Sequence, residues 1–122
     1  MPLIATKHPK RGELVRVRLD SVEGSEQAGE RPALVISPDL INRHSPVVLV
    51  AALTSLKTER TYPFEAFIPA GEGGLKKDSK VLLMQLRAID KQRISGAYGH
   101  IKAETMRRVE EALKVATGLI PI

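Results

Sequence analysis

Apolar residues recur along this chain in three rhythms, and each predicts a different element. In residues 13–20, Leu14, Val15, Val17 and Leu19 are broken by Arg16 and Arg18, close to the period of two that marks a half-buried strand. Arg16 and Arg18 then share one face of that strand. Residues 32–37 read as a compact apolar strand whose leading Pro32 stands where a missing N–H costs nothing. Residues 47–53 are β-branched and apolar throughout, which predicts a central strand covered on both faces, with Thr54 and Ser55 just past its end. Residues 63–68 predict another strand, closed by Pro69 and a turn at 71–74. Residues 80–89 predict a long strand with Gln85 and Arg87 polar on one side, and residues 94–101 a short strand or hairpin remnant carrying two glycines.

Between these runs the punctuation is clear. Gly24, Ser25 and Gly29 mark a loop over residues 21–30. Ser37-Pro38-Asp39 predicts the start of a short helix, with Ser37 as its cap and Pro38 at its first position, and Pro46 ends it. From Ala103 onward the period changes to that of a helix. Met106, Val109, Leu113 and Ala116 fall on one face, Lys102, Glu104, Arg107, Arg108, Glu110 and Glu111 on the solvent side, and Gly118 stands where a C-terminal cap belongs. About five short strands, tight turns and a closing helix predict a mainly β (α+β) fold built on a small barrel. The chain shows no internal repeat and no linker, so residues 1–122 read as one domain, with residues 1–10 as a flexible tail.

Composition narrows the chemistry. At 122 residues the chain buries a core without a staple, and with no cysteine it has no disulfide, thiolate zinc site or cysteine nucleophile. That usage fits a reducing cytosol. The longest apolar run is far too short to span a membrane, and residues 1–11 lack the apolar stretch of a secretory signal, so a cytoplasmic protein is expected. The formal net charge of +5 favours an anionic partner, nucleic acid first and acidic protein second. His8, His44 and His100 are scattered without metal-ligand spacing, and neither metal nor cofactor is expected. Asp78, after two lysines, reads as a turn former. Aromatic residues make up only 3%, too few for a platform that stacks long single strands, although one or two of Tyr62, Phe64, Phe67 and Tyr98 suffice to hold a flipped base.

Three residues stand out as candidates for function. Arg31 meets Pro32 at the loop–strand junction, and its planar fork suits a phosphate better than a lysine does. The plainer alternative is an ion pair with Glu26 or Glu30. Thr54 ends an apolar strand, where its hydroxyl can donate to a non-bridging phosphate oxygen or merely cap a turn. Gln85, polar within Leu82-Leu83-Met84-Gln85-Leu86, can read a base edge or a ribose hydroxyl, or satisfy a loop carbonyl.

Several collinear segments carry a resemblance. Arg11-Gly12-Glu13, Gly24-Ser25-Glu26-Gln27-Ala28-Gly29-Glu30-Arg31-Pro32, Ala51-Ala52-Leu53-Thr54-Ser55, Gly74-Leu75-Lys76-Lys77-Asp78-Ser79 and Gln85-Leu86-Arg87-Ala88-Ile89-Asp90 together resemble the MazF/PemK family of toxin ribonucleases. The resemblance implies an SH3-like barrel of the MazF/CcdB type with a short helix and a C-terminal helix, in a toxin that dimerises. It implies a sequence-selective, metal-independent endoribonuclease acting on single-stranded mRNA and silenced by a cognate antitoxin with an acidic tail. Arg31 and Thr54 match the family's catalytic arginine and threonine. Ser25, Glu26 and Gln27 would border the site and Gln85 would lie close to bound RNA. Glu26 is a candidate general base if it lies within hydrogen-bond reach, and the base is otherwise open. One position departs from the pattern: Met84 stands where many relatives carry an acidic residue, so base preference is expected to differ.

Two other readings share the fold. A gyrase-poisoning protein of the CcdB type acts through a tryptophan-bearing C-terminal end, whereas this chain has no tryptophan and ends Gly-Leu-Ile-Pro-Ile. A non-catalytic RNA-binding barrel would bind in a steeply salt-dependent way and leave RNA intact.

Overall fold

The computed structural model describes residues 3–19, 29–55 and 60–121. Six strands, β1 (Glu13–Leu19), β2 (Gly29–Val35), β3 (Val47–Ser55), β4 (Glu65–Ile68), β5 (Ser79–Asp90) and β6 (Ile94–His100), form one sheet in the order β4-β5-β3-β2-β1-β6. All its ladders are antiparallel. A short helix α1 (Asp39–His44) links β2 to β3, and helix α2 (Ala103–Ala116) closes the chain. The mainly β, α+β class read from the sequence is the observed one, with six strands rather than about five.

The continuous apolar runs follow from burial on both sides. Leu14, Leu34, Ala51, Leu53, Ile68, Val81 and Leu83 form one core with Val109 and Ala112 of α2. Val15, Val17, Ala33, Val35, Val48, Val50 and Ile89 form a second. In β1, β2 and β3 successive residues alternate between the two cores, as the pleat requires. Residues 50–53 are buried whichever face they take, so this stretch has no solvent face to write in polar residues, and β3 is central as predicted.

The sheet is not closed into a full barrel: among the described residues no ladder joins β4 to β6. A turn at Glu72–Gly74 packs against β6 in the gap instead. The approach is close enough to demand glycine on both sides. A Cβ on Gly99 would stand 2.8 Å from the Gly73 carbonyl oxygen, and one on Gly73, at φ +59°, would stand 2.4 Å from Leu14 Cδ1. The buried Glu72 carboxylate accepts the Lys102 N–H at 2.8 Å and fastens this turn to the entry of α2. Arg11 ties the same helix down from another side, donating to the Ile36 carbonyl and, at 2.8 Å, to Glu110.

Local details differ from the sequence reading in two places. β2 starts at Gly29, so Pro32 falls inside the strand rather than at its head. The ladder from β2 to β3 runs only from Ala33 to Val35, and Pro32 is opposed by Arg16 of β1. Ser37 does not cap α1. Pro38 occupies the cap position without a side-chain bond, while the buried Ser37 hydroxyl donates to Asn42 Oδ1 and accepts the Leu49 N–H. At the other end the expectation holds: Gly118, at φ +77°, ends α2, with the N–H groups of Gly118 and Leu119 donating to Val115 and Lys114. In the stretch read as a tail, Ile4 and Ala97 exchange two backbone hydrogen bonds of 2.9 and 2.8 Å.

Candidate RNA-cleavage site

The register of the central ladders gathers the candidate residues. The paired residues of β2 and β3 end at Ala33–Ala52. Arg31 and Thr54 lie two residues further along each strand, and the two-residue period returns both to the face of Ala33 and Ala52. On its other side Arg31 is opposed by Val17 of β1, and Thr54 is opposed by Lys80 of β5. A row therefore crosses the sheet: Val17, Arg31, Thr54, Lys80 and then Phe67 of β4. Its apolar end joins the second core and its middle presents two cations around one hydroxyl.

Burial grades the row. Arg31 is exposed and Thr54 half-buried at the rim of the sheet. The only described hydrogen bond of the Thr54 hydroxyl is a long 3.5 Å contact to the Ser55 carbonyl, which leaves its donor available to a better acceptor. Glu30, one of the two carboxylates weighed as partner to Arg31, falls on the opposite face of β2. It accepts from Arg16 at 2.7 Å.

Gln85 reaches the same end of the sheet through an irregularity. Between the pairs Ala51–Leu86 and Leu53–Val81, β3 advances two residues while β5 runs back five. The surplus residues bulge opposite Ala52, and bulges re-aim side chains at site edges. Gln85 is half-buried there and Met84 is 65% exposed. By register, Arg31, Thr54 and Gln85 all lie within a few residues of the Ala52 position. Ser25, Glu26 and Gln27 lie outside the described residues.

Lys80 and its surroundings escaped the sequence reading, in which residue 80 only opened a predicted strand. Its ammonium donates to Glu65 Oε1 at 2.8 Å and stands 6.0 Å from the centroid of Tyr62, which stacks on Phe64 at 5.4 Å. The side chains of Lys80 and Glu65 are only 20% and 10% exposed. Strand parity alone could have put Lys80 beside a strand-end threonine, but only a known register shows which one.

Elsewhere, the remaining sequence candidates have structural roles. Asp78 accepts the Ala70 N–H at 2.8 Å, as a turn former should. His100 bonds the carbonyls of Ile101 and Arg11 at 2.9 and 2.8 Å. Among the described residues no three His, Asp or Glu are grouped to hold a metal ion, and no helix is long and apolar enough to cross a membrane.

The candidate residues Arg31, Thr54 and Lys80 thus sit on one small antiparallel sheet. Residues 10–117 match the model of the PemK-like, MazF-like toxins of type II toxin–antitoxin systems, and the chain belongs to that family. It is 43% identical over 111 residues to Endoribonuclease EndoA of Bacillus subtilis, covering 91% of this chain and 96% of that protein. Among solved structures it is similar to MazF from Deinococcus radiodurans, with a TM-score of 0.77 and 30% identity, covering 93% and 99% of the two chains. It is also similar to a mycobacterial endoribonuclease solved in complex with its cognate antitoxin, with a TM-score of 0.75, 26% identity and coverage of 93% and 99%.

Proposed function

We propose that this toxin-family protein is an endoribonuclease that cuts single-stranded mRNA by the attack of a ribose 2′-hydroxyl on the adjacent phosphorus, with Arg31 and Thr54 as its catalytic pair. The observation that carries this reading is their placement, two residues beyond Ala33–Ala52 on neighbouring strands and on one face.

RNA brings its own nucleophile, so the protein has no need to activate water. As the 2′-oxygen bonds to phosphorus, negative charge builds on the non-bridging oxygens. Arg31 and the Thr54 hydroxyl meet that charge as donors held in place before the reaction. The 2′-hydroxyl gives up its proton, the bond to the 5′-oxygen breaks, and that oxygen takes a proton as it leaves. The products are a 2′,3′-cyclic phosphate and a 5′-hydroxyl. A guanidinium, protonated up to a pH of about 12, is no base, so Arg31 acts by charge and by proton donation toward the leaving oxygen. Gln85, at the β5 bulge, contacts a neighbouring nucleotide, with Ser25, Glu26 and Gln27 as further RNA contacts.

Relatives extend the reading to partners. The mycobacterial neighbour was solved with its cognate antitoxin, and a 29% identical Deinococcus radiodurans neighbour is a MazE–MazF structure. This chain, with its net charge of +5, takes an acidic antitoxin segment over the same cationic rim. It acts as a homodimer in the cytoplasm, as one MazF-like domain over residues 1–122.

The test is cleavage of single-stranded RNA by purified protein in EDTA. Wild type cuts, and Arg31→Ala and Thr54→Ala each stop cutting while circular dichroism shows an intact fold. Normal cleavage by Arg31→Ala would sink the assignment.

A further inference from the structure

We propose that Lys80 is an additional RNA-phosphate contact, gripping the phosphate next to the scissile one, and that Glu65 is the positioning residue that holds it there. This rests on the reading of Arg31 and Thr54 as the cleavage site.

Lys80 is the direct cross-strand partner of Thr54. Lys80 is paired with Thr54 on one side, and on the other side Arg31 lies on the same face, two residues beyond the last β2–β3 pair. A nucleic-acid backbone is a row of charges, and a row of cation, hydroxyl and cation across three strands matches a strand of RNA crossing the sheet. The ammonium is a compact point charge with three donors. One is committed to Glu65 Oε1 at 2.8 Å, which leaves others for a phosphate oxygen.

Glu65 is itself fixed. The same Oε1 accepts the Tyr62 N–H at 3.1 Å, and the side chain is only 10% exposed. A largely buried lysine without a carboxylate would be costly to keep charged. The carboxylate thus fixes the ammonium in place, at the expense of part of its pull on RNA. Tyr62, stacked on Phe64, has its ring centroid 6.0 Å from the ammonium. An ordinary surface lysine would be mobile and salt-screened. This one is held in place.

The experiment measures binding of single-stranded RNA made uncleavable by 2′-O-methyl groups, across a salt series. Each phosphate contact on a single strand contributes a slope of about −0.7 to log K against log salt. Lys80→Gln should make the slope shallower by about 0.7, so that roughly 2.5-fold less affinity is lost between about 50 and about 200 mM salt. Glu65→Gln keeps the Lys80 charge but releases it from its anchor, and should bind more weakly than wild type by a smaller factor than Lys80→Gln, whereas binding as tight as wild type overturns the positioning role. Should Lys80→Gln fold poorly, the double variant Lys80→Gln/Glu65→Gln removes both charges and is expected to show the same shallower slope. An unchanged slope in the folded single or double variant overturns the inference, as does an equal change in Lys114→Gln on the exposed face of α2. Cleavage by Arg31→Ala tests the catalytic reading separately. If that variant is inactive while the Lys80→Gln slope equals wild type, only the Lys80 contact falls.

Discussion

Arg31 of β2 and Thr54 of β3 stand on one face of the sheet, each two residues beyond the Ala33–Ala52 pair of their shared ladder. That relationship puts both side chains on one face just past the end of the ladder. Removing one such preorganised donor costs on the order of 10²–10³ in rate. Thr54→Ala is therefore expected to lower kcat by about that factor with little change in KM, and Thr54→Ser to recover most of it. Arg31→Lys keeps the charge but loses the fork, and should fall between wild type and Arg31→Ala. Single-turnover cleavage of an RNA oligonucleotide checks the order. A Thr54→Ala enzyme as fast as Thr54→Ser would remove the hydroxyl from the chemistry.

The Gly73–Gly99 contact fills the opening between the two sheet edges. Gly99→Ala forces a methyl to within 2.8 Å of the Gly73 carbonyl oxygen, against backbone that cannot swing aside as a side-chain tip can. Overpacking of this kind costs about 1–3 kcal/mol. Chemical denaturation should show that loss. A stability equal to wild type would mean that the turn at Glu72–Gly74 yields easily and does not brace the sheet.

The strands were readable in the sequence because burial leaves a one-dimensional trace. Runs such as residues 50–53 are apolar when both faces are covered, and the helical period from Ala103 announces α2. Features set by distant partners left no such trace. Ser37-Pro38-Asp39 has the local signature of a capped helix, yet the Ser37 hydroxyl serves Leu49, twelve residues away. Pro32 reads as a strand head because proline is excluded from the middle of ladders. It lies mid-strand because the described β2–β3 ladder begins only at Ala33. The bulge in β5 falls in Leu82-Leu83-Met84-Gln85, with neither Gly nor Pro to betray it. Without it, neither the pairing of Lys80 with Thr54 nor the return of Gln85 toward Ala52 can be derived. Arg31 and Thr54 were legible as candidates by residue type and position, but their place on one face is a property of register.

Ser37, Asn42 and the Leu49 N–H form a buried polar knot that fastens α1 to β3. Asn42 Nδ2 donates to the Ser37 carbonyl at 2.9 Å, and the Ser37 hydroxyl bonds both Asn42 and Leu49. Ser37→Ala leaves two buried polar groups without that partner, a loss of about 1–3 kcal/mol. Asn42→Ala should cost a similar amount. Because both changes break one network, the double variant should cost less than the sum, with a coupling of about 0.5–3 kcal/mol in denaturation cycles. Additive losses would mean the two side chains stabilise the fold independently.

Met84 offers a way to change what the site reads without changing whether it cuts. It is 65% exposed on the β5 bulge, next to Gln85, so a substitution there disturbs little packing. Exposed substitutions of this kind usually stay within about 0.5 kcal/mol of wild type. Its thioether is a weak acceptor, whereas a carboxylate accepts strongly from the exocyclic amino groups of adenine, cytosine or guanine. Met84→Glu is therefore expected to fold and cleave, but to gain a preference for an amino-bearing base at one position of the cleavage motif. Sequencing the 5′ ends of total RNA cut by each protein reads the two motifs side by side. If they are identical, the residue before Gln85 does not touch a base, and specificity resides in the rest of the site.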